Sequence, residues 1–152
     1  MTLIRSFFAA IMLRGLPALL SADTIMVKDA YAYRATPSSK AGGIFKMIHN
    51  HGTADDRLVS VASTAAQKAE LHTHIQSSDG VMKMRPVIGG FVIEAGKIAM
   101  LKRGADHIML MGLHNSWHQG DLISIVLTFE KAGEMTLDVP VDLNRSDAAH
   151  SH

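Results

Sequence analysis

Short runs of alternating apolar and polar residues fill the chain from residue 24 onwards, and turn residues separate many of them. An alternation of period two places successive side chains on opposite faces, as in a half-buried strand. Helical patterns of ten residues are missing between these runs. The pattern predicts an antiparallel β-sandwich or barrel. The predicted strands span 24–28, 30–34, 43–49, 57–63, 68–75, 81–84, 91–93, 97–101, 107–111, 122–129 and 134–141.

The composition is that of a globular domain, since 47% of the residues are apolar and 19% are charged. A length of 152 residues suffices for one domain with a sizeable core. The formal net charge is +1, and it becomes −1 when residues 1–22, which contain Arg5 and Arg14, are removed. This near-neutral charge gives no indication of a nucleic-acid or membrane-surface partner.

Residues 1–22 have the pattern of a secretory signal peptide. A basic Arg5 precedes a mostly apolar run, a helix-breaking glycine and proline, and small residues that end at Ala22. Arg14 interrupts the apolar run, and no uninterrupted stretch approaches the roughly 18 apolar residues of a membrane span. The alternative is a buried or fraying N-terminal helix. We expect an exported protein with a signal peptide at 1–22, a single domain at 23–143 and a flexible polar tail at 144–152.

The chain has no cysteine, but it has ten methionines and nine histidines. The lack of thiols excludes disulfides, zinc–cysteine sites, thiol catalysis and the His₂Cys copper site of electron-transfer cupredoxins. It also leaves no cysteine for a lipid anchor. Because aromatic residues are only 5% of the chain, methionine is also expected as core filler. A metal site therefore has to be argued from local patterns.

The stretch "HIMLMG", residues 107–112, places a histidine and two methionines at alternating positions. On a strand, His107 and Met109 project to the same face with their Cα atoms roughly 7 Å apart. Two side chains of this length can converge on one atom above the sheet. Ile108 and Leu110 would then face the core.

A second stretch, residues 71–86, is an expected hairpin with His72 and His74 on one face of its first strand and Met84 on its second strand. A two-residue turn would put these histidines and the methionine on opposite faces. A three-residue loop with a left-handed Gly80 would pair His74 with Met84 and leave His72 diagonal to it. Only the longer loop, or a bulge, brings the side chains together.

The two stretches together supply two imidazoles and two thioethers, from His72, Met84, His107 and Met109. Thioether sulfur is soft and neutral, so it favours Cu(I) over zinc, calcium or magnesium, and neutral imidazole also suits Cu(I). Because no ligand is charged, such a site should release copper more readily than a thiolate site, which favours a carrier. The alternative is a module without metal, in which these residues pack as ordinary core.

These stretches resemble the periplasmic copper chaperone family called PCuAC, which serves the copper-A centre of cytochrome c oxidase. The matching pieces are "AELHTHI", "DGVMKMRPV", "AGKIAMLKRGADHIMLMGL" and "GDLISIVLTFEKAG", and the resemblance covers about residues 24–141. The family pattern is a histidine, a methionine about a dozen residues later, and a His-x-Met some twenty residues further on.

The resemblance implies a cupredoxin-like Greek-key β-sandwich with a Cu(I) site near the surface at His72, Met84, His107 and Met109. We keep His74 as a supporting or substitute ligand. The resemblance also implies a periplasmic carrier, without enzymatic activity or stable membrane insertion. It implies delivery of copper towards cytochrome c oxidase subunit II, alongside a thioredoxin-like Sco partner.

Several neighbouring residues have other expected roles. The loop "LKRGADH" departs from the usual family approach to the last histidine, and we expect Arg103 and Ala105 to alter it. Met82 and Met111 are expected to form a hydrophobic wall around the site. Ordinary core or loop roles are expected for Met47, His49, His114, Trp117 and His118, and a solvated role for His150 and His152. A copper oxidase or electron-transfer protein is a third reading, which the missing cysteine disfavours.

Overall fold

Ten β-strands in two sheets make up the regular structure of residues 24–146, the part of the chain that the computed structural model describes. The larger sheet has the order β1-β2-β8-β4-β5, and β7 also pairs with β2; the smaller sheet has the order β10-β9-β3-β6. The predicted all-β sandwich is confirmed. The strands are β1 (Ile25–Tyr33), β2 (Ala41–Asn50), β3 (Asp56–Ala62), β4 (Ala66–Gln76), β5 (Met82–Pro86), β6 (Phe91–Ile93), β7 (Ile98–Leu101), β8 (His107–Leu113), β9 (Leu122–Phe129) and β10 (Gly133–Pro140).

The first strand is longer than the sequence suggested. The two predicted strands at 24–28 and 30–34 are one strand, β1, whose pairing with β2 shifts between Lys28 and Tyr31. Asp29, in the bulged segment, has a φ of 52°. A bulge adds a residue to one strand and breaks the alternation. That break appears in the sequence as the end of one strand and the start of another.

The core lies between the two sheets and follows the predicted alternation. Ile108 and Leu110 on β8 are fully buried, as expected, and so are Ile44 and Ile48 on β2. On β9 every second residue from Ile123 is buried. Each such aliphatic side chain contributes roughly 1.5–3 kcal/mol to the free energy of unfolding. The sandwich therefore uses one face of the larger sheet for the core and leaves its outer face for other side chains.

The chain after β10 stays attached to the sandwich. The backbone N–H of Asp142 donates to the carbonyl of Ala32 over 2.9 Å. Arg145 pairs with Asp29 and lies over the ring of Tyr31, at 4.3 Å from its centroid. Arg145, in the predicted tail, thus contacts the domain. The predicted signal peptide at 1–22 and residues 147–152 lie outside the described residues.

No helix among residues 24–146 has both the length and the apolar character that crossing a membrane requires.

A buried carboxylate joins the start of β3 to the turn between β9 and β10. Asp56 Oδ1 accepts the backbone N–H groups of Arg57 at 2.7 Å and Lys131 at 2.9 Å, and Oδ2 accepts that of Ala132 at 3.0 Å. Hydrogen bonds to a charged acceptor are stronger than neutral ones.

We expect Asp56→Asn to lower the free energy of unfolding by about 2–4 kcal/mol, because the amide replaces an acceptor with a donor that faces backbone N–H groups. Urea denaturation followed by circular dichroism measures this change. Glu130→Gln is the matched control, since its ion pair with Arg57 spans 3.8 Å at the exposed surface and should contribute less than about 1 kcal/mol. Equal effects of the two substitutions would contradict this role for Asp56.

Lys46 is a buried cation on the core face of β2, between Ile44 and Ile48. Its Nζ has no hydrogen-bond partner among the described residues. Burial lowers the pKa of Lys46 from 10.5 to about 7, because desolvation disfavours the charged form.

Between pH 7 and 10.5 the unfolded chain binds the Lys46 proton more than the folded chain does, so this lysine makes stability rise with pH. Below the folded pKa both states are protonated and the effect is constant. We expect Lys46→Met to raise the free energy of unfolding at pH 7 by a few kcal/mol and to flatten its rise between pH 7 and 10. Denaturation at several pH values tests this, with the exposed Lys97→Met as control. An unchanged pH dependence in Lys46→Met would refute the assignment.

Candidate metal centre

The hairpin of β4 and β5 has the longer of the two loops that the sequence allowed. His74 lies opposite Met84, and Gln76 lies opposite Met82. The backbone N–H of Ser77 donates to the carbonyl of Val81 over 2.9 Å, which leaves residues 78–80 as the loop. Gly80 has a φ of 81°, a value that few other residues adopt. This register puts the histidines of β4 and the methionines of β5 on the same face.

Strand β8 brings the His-x-Met stretch to the same face. His107 lies directly opposite His72 on β4, and Met109 lies between Glu70 on β4 and Gly43 on β2. The ring of His107 is 5.9 Å from that of His72 and 5.2 Å from that of His74, measured between centroids. Three imidazoles therefore cluster on the outer face of the larger sheet.

A pocket of about 280 Å³ opens on this face. Three of the four predicted ligands, Met84, His107 and Met109, line it, and so does His74. Tyr33, Phe45 and Arg103 are among its other walls. The fourth predicted ligand, His72, is 8% exposed and is not among the lining residues. Met82 and Met111, which we expected as a hydrophobic wall, also lie outside the lining.

The carbonyl of Ala105 orients two of the imidazoles. It accepts a hydrogen bond from His107 Nδ1 at 2.8 Å and lies 3.2 Å from His74 Nδ1. Because a carbonyl can only accept, each ring that bonds to it carries its proton on Nδ1 and its lone pair on Nε2. This is the arrangement in which a backbone carbonyl holds a histidine ready for a metal.

The loop before β8, which contains Arg103 and Ala105, thus supplies the carbonyl that both imidazoles contact. Its turn is closed by the N–H of Ala105 donating to the carbonyl of Lys102 at 3.1 Å. Gly104, with a φ of 77°, makes that turn possible. The guanidinium of Arg103 lies over the ring of Tyr33, 3.6 Å from its centroid, a cation–π contact that holds one wall of the pocket.

His107 is the most enclosed of the candidate ligands, with 3% of its surface exposed. Burial lowers the pKa of His107, and the hydrogen bond to Ala105 only partly opposes this effect. The neighbouring His74 and His72 lower it further. His107 is therefore neutral at pH 7, which is the protonation state that can bind a metal.

His72 has a different partner, the carboxylate of Glu70. Its Nε2 lies 2.8 Å from Glu70 Oε2. Hydrogen bonds from Lys68 and then from His72 lower the pKa of Glu70, so this carboxyl is ionised and only accepts. Nε2 of His72 accordingly donates to Glu70, and Nδ1 is buried with no hydrogen-bond partner within residues 24–146. Nδ1 is therefore the ring nitrogen of His72 that is left for a metal, with Glu70 on the opposite side of the ring.

Among residues 24–146, no group of three or more histidine, aspartate or glutamate side chains is placed to hold a metal ion. The candidate centre depends on its thioethers. Two imidazole nitrogens and two thioether sulfurs form a soft and neutral donor set, which suits Cu(I) better than a hard divalent cation.

Sequence reasoning did not identify Glu70, Phe45 or the orienting role of the Ala105 carbonyl. Glu70 stands two residues before His72, on the same face of β4, so the alternation contained a signal for its position. The ring of Phe45 lies 6.1 Å from that of His107, but this contact joins distant parts of the chain. A backbone carbonyl leaves no mark in the sequence.

A family model described as "Putative lipoprotein LpqE-like" matches residues 25–141. The chain belongs to the LpqE-like family. It is also 32% identical over 120 residues to "Putative lipoprotein Lxx21020" of Leifsonia xyli subsp. xyli (strain CTCB07), an alignment that covers 79% of this chain and 70% of that protein.

Solved structures of PCuAC domains have the same fold as this LpqE-like chain. The copper-bound PCuAC domain from PmoF2 superposes with a TM-score of 0.65 at 18% identity, over 79% of this chain and 93% of that one. Apo-DR1885 from Deinococcus radiodurans gives a TM-score of 0.62 at 24% identity, over 95% and 96%. CuI-DR1885 gives 0.58 at 26% identity, over 76% of each chain. The cupredoxin-like sandwich that the sequence predicted is therefore confirmed.

Proposed function

We propose that this protein is an exported copper carrier that binds one Cu(I) ion tightly in the pocket between β4, β5 and β8. Met84, His107 and Met109 supply three ligands, and a histidine of β4 supplies the fourth. The observation that carries the proposal is the meeting of imidazole and thioether side chains from two separate stretches in one pocket. Two structural neighbours, the copper-bound PCuAC domain from PmoF2 and CuI-DR1885, hold copper, which supports the same metal here.

The two histidines of β4 compete for the fourth position. His74 lines the pocket opposite Met84, and its Nδ1 lies near the Ala105 carbonyl, which leaves Nε2 free. His72, the ligand that the sequence pattern favours, offers Nδ1 and has a carboxylate behind it. Because His72 lies outside the pocket lining, we favour His74 as the fourth ligand.

A neutral site of this kind suits a carrier rather than an enzyme, because copper passes by ligand exchange and no bond-making chemistry is needed. Relatives named as lipoproteins support export. We propose that the carrier delivers Cu(I) to the copper-A centre of cytochrome c oxidase subunit II, with a thioredoxin-like Sco protein as a second partner. This part of the proposal rests on the PCuAC resemblance.

We expect His107→Ala/Met109→Ala to weaken the tight binding of Cu(I) by more than about 100-fold. Loss of a residue that only hydrogen-bonds to a metal ligand already lowers metal affinity by about 10–100-fold, and this variant lacks two of the ligands themselves. Competition against a chromogenic Cu(I) chelator under reducing conditions measures the affinity. His118→Ala, at an exposed side chain, is the control and should bind as the unmodified chain does. Unchanged affinity in the double variant would refute the site, whereas an unmodified chain that does not compete for Cu(I) would favour a module without metal.

Single substitutions distinguish the two histidines of β4. We expect His74→Ala to lower Cu(I) affinity by more than about tenfold, and His72→Ala and Glu70→Gln to have smaller effects, because His74 is the ring that faces the pocket. The same chelator competition measures all three, and X-ray absorption at the copper edge counts nitrogen and sulfur ligands. A larger loss in His72→Ala, accompanied by a loss in Glu70→Gln, would assign the position to His72 instead.

A further inference from the structure

A second group of soft donors lies on the same face of the larger sheet, at the other end of β2. Met47 and His49 alternate with the buried Ile48 and therefore project outward. Met26 on β1 lies directly opposite His49, and Met100 on β7 lies directly opposite Met47. Directly opposed residues have Cβ atoms about 4.5–5.5 Å apart. Three thioethers and one imidazole thus come from three adjacent strands.

His49 has a ring nitrogen that is suited to binding a metal. Its Nε2 is shielded from solvent and has no hydrogen-bond partner in the described part of the chain, which is costly for a polar atom in a folded protein. The ring of His51 stacks on it, with centroids 5.7 Å apart. Burial lowers the pKa of His49, and the charges of Lys28 and His51 lower it further, so the ring is neutral at pH 7.

The surroundings select the kind of ion. Thioethers and neutral imidazole are soft, uncharged ligands that suit Cu(I) or Ag(I). Lys28 lies opposite Met47, and its charge opposes a divalent cation more than a monovalent one. Met26 and Met100 are 43% and 40% exposed, so an ion can enter from solvent. The imidazole of His49 is only half-buried, whereas that of His107 is 3% exposed.

We propose that Met26, Met47, His49 and Met100 form a second, weaker site for a soft monovalent cation, with Cu(I) as the physiological ion and His51 as an additional ligand. This site goes beyond the proposed function and uses none of the residues of the first centre. Met109 lies opposite Gly43, which puts His107 level with Phe45, two residues from Met47 and four from His49 along β2, so the two ions would be on the order of 10–15 Å apart. The carrier would then hold two copper ions on one face.

Methyl NMR of the full chain, labelled with ¹³C at the methionine methyl groups, tests this inference with Ag(I) as a redox-stable probe. We expect the methyl signals of Met84 and Met109 to shift with the first equivalent. The signals of Met26, Met47 and Met100 should shift with the second. His49→Ala, and separately Met26→Leu/Met100→Leu, which keeps the side-chain volume, should each weaken the second equivalent at least tenfold and leave the first unchanged.

The controls separate this site from the first centre. His118→Ala should bind both equivalents, and His107→Ala/Met109→Ala should keep the second. Methyl signals of Met26, Met47 and Met100 that stay in place at excess Ag(I) would overturn the inference. The same conclusion would follow if the methyl signal of Met47, which both variants keep, shifted with the second equivalent in His49→Ala and in Met26→Leu/Met100→Leu as it does in the unmodified chain. Failure of the proposed function would appear differently, as unmoved signals of Met84 and Met109.

Discussion

The packing of one face of the larger sheet against the smaller sheet is the constraint on which the rest of the molecule depends. Because side chains alternate along a strand, the register that places Ile108 and Leu110 in the core also places His107 and Met109 on the outer face. A slip of one residue in β8 would turn the donors towards the core and the aliphatic side chains towards the outer face. The stability of the sandwich and the position of the candidate copper ligands are consequently set by the same register.

Much of this arrangement was predictable from the sequence, because alternation is a local property. The strands and the outward orientation of His107 and Met109 followed from it, whereas the choice of candidate ligands rested on the PCuAC resemblance. The loop of the β4–β5 hairpin was left open, since both lengths fit the sequence; the chain has the longer one, with Gly80 in the left-handed region. The bulge in β1 was missed because it interrupts the alternation that identifies a strand.

Contacts between distant residues were beyond what the sequence could give. His72 and His74 share a face, so alternation could not distinguish them. The distinction comes from Glu70, which holds His72, and from the Ala105 carbonyl, which is near His74. Met47 and His49 were expected to have ordinary roles, because their partners Met26 and Met100 are far away in sequence. Only the pairing of β1, β2 and β7 brings these thioethers together.

The position of Met84 has a consequence for the rates of copper exchange. β5 is the terminal strand of the larger sheet, and all five of its residues are exposed. The other proposed ligands lie on β4 and β8, each of which has a neighbouring strand on both sides. In a site built this way, the thioether of Met84 is the donor that can dissociate at least cost. An incoming ligand from an acceptor protein would replace it first, so the direction of approach to the carrier is fixed by the edge of the sheet.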